Sequence, residues 1–158
     1  MSQFEKYHPI LTPHYTFDWL TKVRAMDVFH LCQQVDAGQP TMLTTADYIN
    51  QTMREIFHDQ QLVWAISDRQ TDQFIGRAGF SPIDMTTKTA TISVELLAKM
   101  VTPATLSELY QRLLTFGTDE LHLTQLTVNL PVEDADSPTI LSKLGFTAVT
   151  AQQYRYQV

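Results

Sequence analysis

Cysteine and positive charge are both scarce in this chain. Its one cysteine, Cys32, excludes an internal disulfide and favours a reducing compartment, so a cytoplasmic location is expected. Cys32 ends the apolar run VFHLC with no base placed near it, which predicts a buried core thiol rather than a nucleophile. Only 11 Lys and Arg residues stand against 17 Asp and Glu, and they are scattered, so a nucleic-acid partner is not expected.

Long apolar runs and metal-ligand spacings are also missing. No apolar stretch reaches the length of a membrane span, and the N-terminus has neither the basic start nor the apolar segment of a signal peptide. The five histidines show no spacing typical of a metal site, and no P-loop or G-x-S-x-G motif occurs. We therefore expect no membrane partner and no metal.

Hydrophobic periodicity predicts a single α/β (α+β) domain over residues 15–158, preceded by an N-terminal arm at 1–14. Gly76 and Gly79 lie inside a predicted strand and indicate a bulge or a close backbone approach. The predicted order β-α-α-β-β-β-α-β-α-β-β favours a mainly antiparallel sheet. Strands are predicted at 15–20, 62–67, 74–83, 89–97, 125–130, 146–149 and 154–158, and helices at 24–35, from 44 or 45, from 103 and at 137–144.

Residues 89–121 form the stretch with the clearest chemistry. Thr91 and Glu95 share one face of an alternating strand, and a long helix follows from Pro103, a residue suited to a first helical turn. A strand that leads into a helix N-terminus leaves backbone N–H groups free to hold an anion. The stretch therefore predicts an anion site at the strand–helix junction.

Three segments in a fixed order carry a family resemblance. The most specific is SPTILSKLGF at 137–146, which matches the run S-x-x-[VI]-L-x-K-L-G-F. The other two are FDWLT at 17–21 with Ala25 and Phe29, and WAI at 64–66 with Asp68, Ile75 and Gly76. Over about residues 15–150 the chain resembles the GNAT superfamily of acetyl-CoA-dependent N-acyltransferases, and within it the ribosomal-protein-alanine acetyltransferase type.

This resemblance implies a fold, a co-substrate and an acceptor. The fold is a mixed, mostly antiparallel sheet of about six to seven strands with helices on both faces, splayed between the fourth and fifth strands, here 88–97 and 125–130. Acetyl-CoA is the implied co-substrate, with its pantetheine in the splay and its pyrophosphate on the loop before the third helix. The implied acceptor is an amine, either a small molecule or a peptide N-terminus, and homodimers are common in the family.

The pyrophosphate loop departs from the family pattern [QR]-x-x-G-x-[GA]. Lys99 stands for Arg or Gln, Thr102 replaces the glycine, and Ala104 satisfies the pattern. Pro103 removes one donor, and the Thr102 hydroxyl could bond a phosphate or cap its own helix. If the loop binds the pyrophosphate, the Lys99 side chain contacts a phosphate group. The affinity of the loop should then be lower than that of an intact glycine loop. The predicted backbone donors are Met100, Val101, Ala104 and Thr105.

The catalytic positions also depart from the pattern. The usual glutamate base falls at Thr91, which cannot take a proton from an ammonium group. Glu95, on the same face and roughly 7 Å along the strand, is the candidate base through a water, or else a solvated or ion-paired strand residue. The backbone N–H groups of Leu96 and Leu97 are predicted to polarise the thioester carbonyl.

The C-terminal motif leaves two roles open for Ser137. It could contact the cofactor in support of catalysis, or cap the following helix with Pro138 at its start. The family asparagine that precedes this serine is Asp134 here, which would place a carboxylate among the cofactor contacts. The occasional general-acid tyrosine of the family corresponds to Leu141, so that role is vacant.

Two functions follow from these residues. The first is transfer of an acetyl group from acetyl-CoA to a primary amine. The second is a non-catalytic GNAT-fold binding or interaction module, because Thr91, Thr102 and Asp134 each replace a functional family residue and a fold does not fix a function.

Overall fold

An eight-stranded sheet organises the computed structural model, which describes residues 2–158. The strand order is β1-β2-β3-β4-β5-β6-β8-β7, and every neighbouring pair is antiparallel except β5 and β6, which are parallel. The strands are β1 (Ile10–Leu11), β2 (Tyr15–Asp18), β3 (Leu62–Asp68), β4 (Phe74–Asp84), β5 (Thr89–Leu96), β6 (Gln125–Asn129), β7 (Thr147–Ala148) and β8 (Gln153–Gln157).

Helices cover both faces of the sheet. They are α1 (Ala25–Val35), α2 (Met42–Phe57), α3 (Pro103–Thr115) and α4 (Ser137–Lys143), and α3 continues into a π-helical turn at Phe116–Glu120. Successive side chains of β3 point to opposite faces, so Trp64 joins the larger core under α3 and α4 while Ala65 joins the smaller core under α1. The predicted class, a mixed sheet with helices on both faces, is confirmed.

The eighth strand, β1, comes from the segment predicted to be an arm. β1 pairs with β2, the Phe4 side chain is fully buried, and the Trp64 indole N–H donates to the Tyr7 carbonyl at 2.8 Å. These residues therefore complete the sheet and core of the domain. Met1, which the predicted arm included, lies outside the described residues.

Local backbone chemistry corrects one helix boundary and explains the strand glycines. α2 begins at Met42, before the predicted start, because Thr41 and Thr44 form a reciprocal capping box. A Cβ on Gly79 would overlap the backbone oxygen of Leu62, and one on Gly76 would lie 2.8 Å from the Leu96 Cα. The close backbone approach predicted at these glycines is therefore confirmed.

Glu108 on α3 holds the chain segment between β1 and β2. Its carboxylate accepts hydrogen bonds from the Thr12 hydroxyl and from the His14 backbone N–H, the latter at 2.9 Å, and lies 2.7 Å from His14 Nδ1. Burial acts to raise the pKa of Glu108, but the hydrogen bonds from Thr12 and His14 outweigh it and lower that pKa below its ordinary value.

Replacing Glu108 should therefore have a pH-dependent effect on stability. A carboxylate whose pKa is lowered by folding stabilises the protein above its unfolded pKa, and this contribution is lost as the pH falls through the folded pKa. Glu108→Gln should lower the free energy of unfolding by about 1–3 kcal/mol at neutral pH, and the gap from the parent protein should close in acid. Urea denaturation across pH measures it, with the exposed Glu120→Gln as control. A gap that is the same at all pH values would contradict the assignment.

Candidate functional site

A cleft opens where β5 and β6 stop pairing. Their parallel register runs from Thr89 opposite Gln125 to Ile92 opposite Val128 and then ends. Beyond that point the strands diverge around a cavity of about 660 Å³, which confirms the predicted splay. Its walls come from the ends of β5 and β6, the α3 residues Leu106 and Tyr110, the end of α1, and the loop at 130–136.

The backbone N–H of Leu96 is among the β5 groups that face this cleft. The Leu97 N–H donates to the Ile75 carbonyl on β4 at 2.9 Å. Because backbone groups of successive residues point to opposite edges of a strand, the Leu96 N–H points away from β4, toward the diverged β6. Leu96 thus keeps the orientation predicted for a carbonyl-polarising donor. The prediction for Leu97 is wrong, since its N–H is already used in the sheet.

Glu95 lines the cleft and is ion-paired. Arg77, its partner across the β4–β5 register, places Nε and Nη2 each 3.0 Å from Glu95 Oε1. The same guanidinium donates to Asp36 at the end of α1 at 2.7 Å and lies 5.1 Å from the centre of the Tyr48 ring. One oxygen of the Glu95 carboxylate is therefore occupied, and the ion-paired alternative describes this side chain; its role as a base stays a prediction.

Arg77 itself is buried at 8% exposure. Burial acts to lower the pKa of Arg77, but Tyr48, Glu95 and Asp36 raise it overall, so the side chain remains a cation. It joins the α1–α2 connection to the wall of the cleft. Sequence reasoning missed Arg77, although a lone arginine inside an otherwise apolar and glycine-rich strand is a signal that could have pointed to it.

The loop between β5 and α3 uses most of its predicted donors internally. The Met100 N–H donates to the Leu97 carbonyl at 2.8 Å and the Val101 N–H to the Ala98 carbonyl at 3.4 Å, in a 3₁₀ turn. The Thr105 N–H donates to the Thr102 hydroxyl at 3.2 Å. The prediction that Met100, Val101 and Thr105 are free phosphate donors is therefore wrong for this conformation.

Thr102, Ala104 and Lys99 are the other loop residues with predicted contacts to phosphate. Thr102 caps α3, one of its two predicted roles, and Ala104 in the exposed first turn keeps an N–H with no acceptor inside the helix. Lys99 is exposed and lines a different cavity, of about 770 Å³, beside β2 and α1. The predicted phosphate cation therefore does not face the cleft.

Ser137, Asp134 and Tyr110 form a polar group at the far wall. Ser137 is fully buried, and its hydroxyl and backbone N–H both donate to the Asp134 carboxylate, at 2.8 and 3.0 Å. Ser137 is the first residue of α4 and not its cap, because Asp136 occupies the cap position. The capping prediction is thus wrong, and Asp134 instead holds the serine in place.

Tyr110 is a site residue that the sequence did not reveal, because it lies on the apolar face of α3. Burial raises the pKa of Tyr110 well above its ordinary value, against an opposing hydrogen bond with Ser137. Its hydroxyl is therefore a neutral hydrogen-bonding group at the cleft wall. A hydroxyl among the apolar positions of a helix was the available signal.

Cys32 has the properties predicted from its surroundings. It is 2% exposed, and burial raises the pKa of its thiol, which makes it a poor nucleophile. Among residues 2–158 no group of three or more His, Cys, Asp or Glu side chains could hold a metal ion. Over the same residues no helix combines the length and the apolar character that a bilayer span requires.

Comparison with known families identifies the family of this chain. The model of the family described as "Acetyltransferase (GNAT) domain" matches residues 13–147, which is most of the chain. The chain belongs to the GNAT acetyltransferase family. A comparison with curated proteins gives no match.

Solved structures share this GNAT fold at low sequence identity. RimL, a ribosomal L7/L12 alpha-N-protein acetyltransferase in complex with coenzyme A, has a TM-score of 0.79 and 12% identity, covering 94% of this chain and 97% of its own. The Microcin C7 self immunity acetyltransferase MccE, in complex with acetyl-CoA and AMP, has a TM-score of 0.75 and 16% identity, covering 93% of this chain and 94% of its own. The spermidine/spermine N-acetyltransferase SpeG from Vibrio cholerae has a TM-score of 0.74 and 12% identity, covering 92% of this chain and 95% of its own.

The cleft combines apolar walls with acidic side chains. Val94, Leu96, Leu106 and Leu130 give it apolar walls, and the unpaired edge of β5 offers backbone groups to an amide-containing arm such as pantetheine. Its charged lining residues are all acidic, and among the described residues no Lys or Arg lines it. They are Glu95, Glu133, Asp134 and Asp136.

Proposed function

We propose that this GNAT protein transfers an acetyl group from acetyl-CoA to a primary amine, on either a small molecule or a peptide N-terminus. The observation that carries the proposal is the splayed cleft with the Leu96 N–H turned into it, in a chain of this family. The fold neighbours support an amine acceptor, since their names describe acetylation of a protein N-terminus and of spermidine or spermine.

The proposed reaction is direct attack by the amine on the thioester in a ternary complex. A bond forms between the amine nitrogen and the carbonyl carbon, and the amine loses a proton. The carbon–sulfur bond breaks, and coenzyme A leaves as a thiolate that takes up a proton to become the free thiol. The Leu96 N–H would donate to the carbonyl oxygen as negative charge develops there. This stabilisation requires no rearrangement, because the sheet already fixes the direction of that N–H.

Glu95 is the proposed proton acceptor, acting through a water. Its Oε1 atom is held by Arg77, so the other oxygen would receive the proton. Ser137 would support the reaction through Asp134 and Tyr110, by fixing the wall opposite β5.

The first test is an assay of coenzyme A release with a panel of peptide and polyamine acceptors. The parent protein should release thiol only when an acceptor amine is present. Glu95→Gln should lower the rate by about 100-fold near neutral pH, while Asp47→Asn on the exposed side of α2 should leave it unchanged. An unaltered pH–rate profile in Glu95→Gln would remove Glu95 from the mechanism, and no release with any acceptor would remove the enzyme proposal.

A GNAT-fold binding module is the second candidate. It is favoured by the backbone N–H groups of Met100, Val101 and Thr105, which already donate hydrogen bonds within the loop. The ion pair that holds Glu95 favours it as well. Calorimetry with acetyl-CoA separates the two candidates, because binding without turnover on the whole acceptor panel favours the module.

Compartment and assembly belong to the same proposal. A cytoplasmic location suits the reduced, buried Cys32. A homodimer is proposed because homodimers are common in the family, and sedimentation equilibrium would test it.

A further inference from the structure

We propose that this protein recognises its acyl donor through the pantetheine arm and not through the nucleotide phosphates. Short pantetheine thioesters would then serve as donors about as well as acetyl-CoA. The inference rests on the proposed function, whose donor site it refines, but it concerns binding and can be tested without any acceptor.

The first support is the state of the phosphate loop. A phosphate needs several convergent N–H donors or cations to repay the loss of its water. Met100, Val101 and Thr105 have their N–H groups in hydrogen bonds within the loop, and Pro103 has none. Of the five consecutive positions from Val101 to Thr105, two keep a backbone N–H without an internal acceptor, Thr102 and Ala104, and they are separated by Pro103.

The second support is the charge around the cleft. Glu133 and Asp136 are exposed at its mouth, and Asp134 and Glu95 line it further in. Lys99, the one cation of the loop, lines the cavity beside β2 and α1 instead. Bringing phosphates to this mouth sets like charges against each other, a repulsion that salt screens over about 8 Å at physiological ionic strength.

The third support is what the cleft offers an uncharged arm. Pantetheine has amide groups joined by aliphatic carbons, and β5 presents unpaired backbone groups beyond Ile92, where β6 has left it. Leu106 and Leu130 supply apolar surface on either side of that edge. The binding energy is therefore available at the arm and not at the phosphates.

Calorimetry of the whole chain with coenzyme A and with pantetheine tests the proposal. The two dissociation constants should agree to within about tenfold, and coenzyme A should bind more tightly when salt is raised from about 50 to 500 mM, because screening weakens repulsion. Attractive phosphate contacts would give the opposite sign. Coenzyme A binding more than about tenfold tighter than pantetheine, coenzyme A binding that weakens with salt, or no binding of either compound overturns the proposal.

Charge variants supply the matched comparison. The double variant Glu133→Gln, Asp136→Asn changes two exposed side chains, neither of which caps α4 through a side-chain hydrogen bond. It should tighten coenzyme A binding by about threefold or more at low salt and leave pantetheine binding unchanged. Glu120→Gln, in the turn that follows α3, should change neither. Unchanged coenzyme A affinity in the double variant contradicts the repulsion.

Failure of this inference can be distinguished from failure of the proposed function. Equal binding of coenzyme A and pantetheine without turnover on any amine upholds this inference and rejects the enzyme. Turnover that depends on tight phosphate binding upholds the enzyme and rejects this inference.

Discussion

Arg77→Met is expected to lower the free energy of unfolding by about 3 kcal/mol. The buried guanidinium balances Asp36 and Glu95, and its removal leaves two carboxylates facing each other without a counter-charge. Each of those side chains is 36% exposed, so water offsets part of the cost and the lower end of the range for broken buried ion pairs applies. Denaturation in urea measures the difference.

Two further substitutions give this prediction its controls. Arg24→Met removes an arginine whose side chain is 84% exposed and pairs with Asp27 one turn along α1, so its effect should stay within about 0.5 kcal/mol. Arg77→Lys keeps the charge, but an ammonium group cannot reach both carboxylates as the planar guanidinium does. Its loss of unfolding free energy should fall between those of Arg77→Met and Arg24→Met. Equal stability of the Arg77→Met and Arg24→Met proteins would show that the network contributes nothing.

The same variant should alter acyl transfer in a particular way. Without Arg77, Glu95 loses its fixed position and the α1–α2 connection loses its tie at Asp36. The KM for the acceptor should rise while the dissociation constant of uncharged pantetheine stays unchanged, because β5 keeps its backbone position. In a double-mutant cycle, Glu95→Gln should have a smaller effect in the Arg77→Met background than in the parent. Fully additive effects would mean that Arg77 does not act through Glu95.

Gly76→Ala is expected to cost more than about 4 kcal/mol or to prevent folding. Its new Cβ would overlap the Glu95 carbonyl oxygen and would lie 2.8 Å from the Leu96 Cα and 2.7 Å from the Leu96 Cδ2. These are backbone atoms and a buried side chain in a paired strand, so neither partner can move without breaking the β4–β5 register. Any protein that does fold should bind the donor poorly, because the displaced residue is Leu96, whose N–H faces the cleft.

Gly38→Ala is the matched comparison for this prediction. Gly38 has φ +86°, and beyond its two chain neighbours no atom lies within 4 Å of the position that an added methyl group would take, so strain alone should cost about 1–2 kcal/mol. Circular dichroism and urea denaturation of the two alanine variants measure the difference. If Gly76→Ala is no more destabilised than Gly38→Ala, then the close approach between β4 and β5 does not limit residue size.

The strands and helices that form the cleft were predictable because their signals are local. The alternation over Thr89–Leu96 indicated β5, Pro103 marked the start of α3, and the SPTILSKLGF run predicted both α4 and the family. Each of these signals depends on residues within about two turns or one strand of each other. Short β1 has no such signal, since two residues show no period, and its strand forms only because β2 offers it an edge.

The chemistry of the site was decided by the tertiary structure. Arg77 meets Glu95 and Asp36 because two strands and a helix converge, and no local pattern relates positions 18 and 41 residues apart. The use of the Met100, Val101 and Leu97 N–H groups likewise depends on which carbonyl each one meets in space. The sequence by itself determined the family, the splayed sheet and the acidic balance of charge. Only the folded chain decided which carboxylate is paired and which backbone donor faces the cleft, because those outcomes depend on contacts between distant segments.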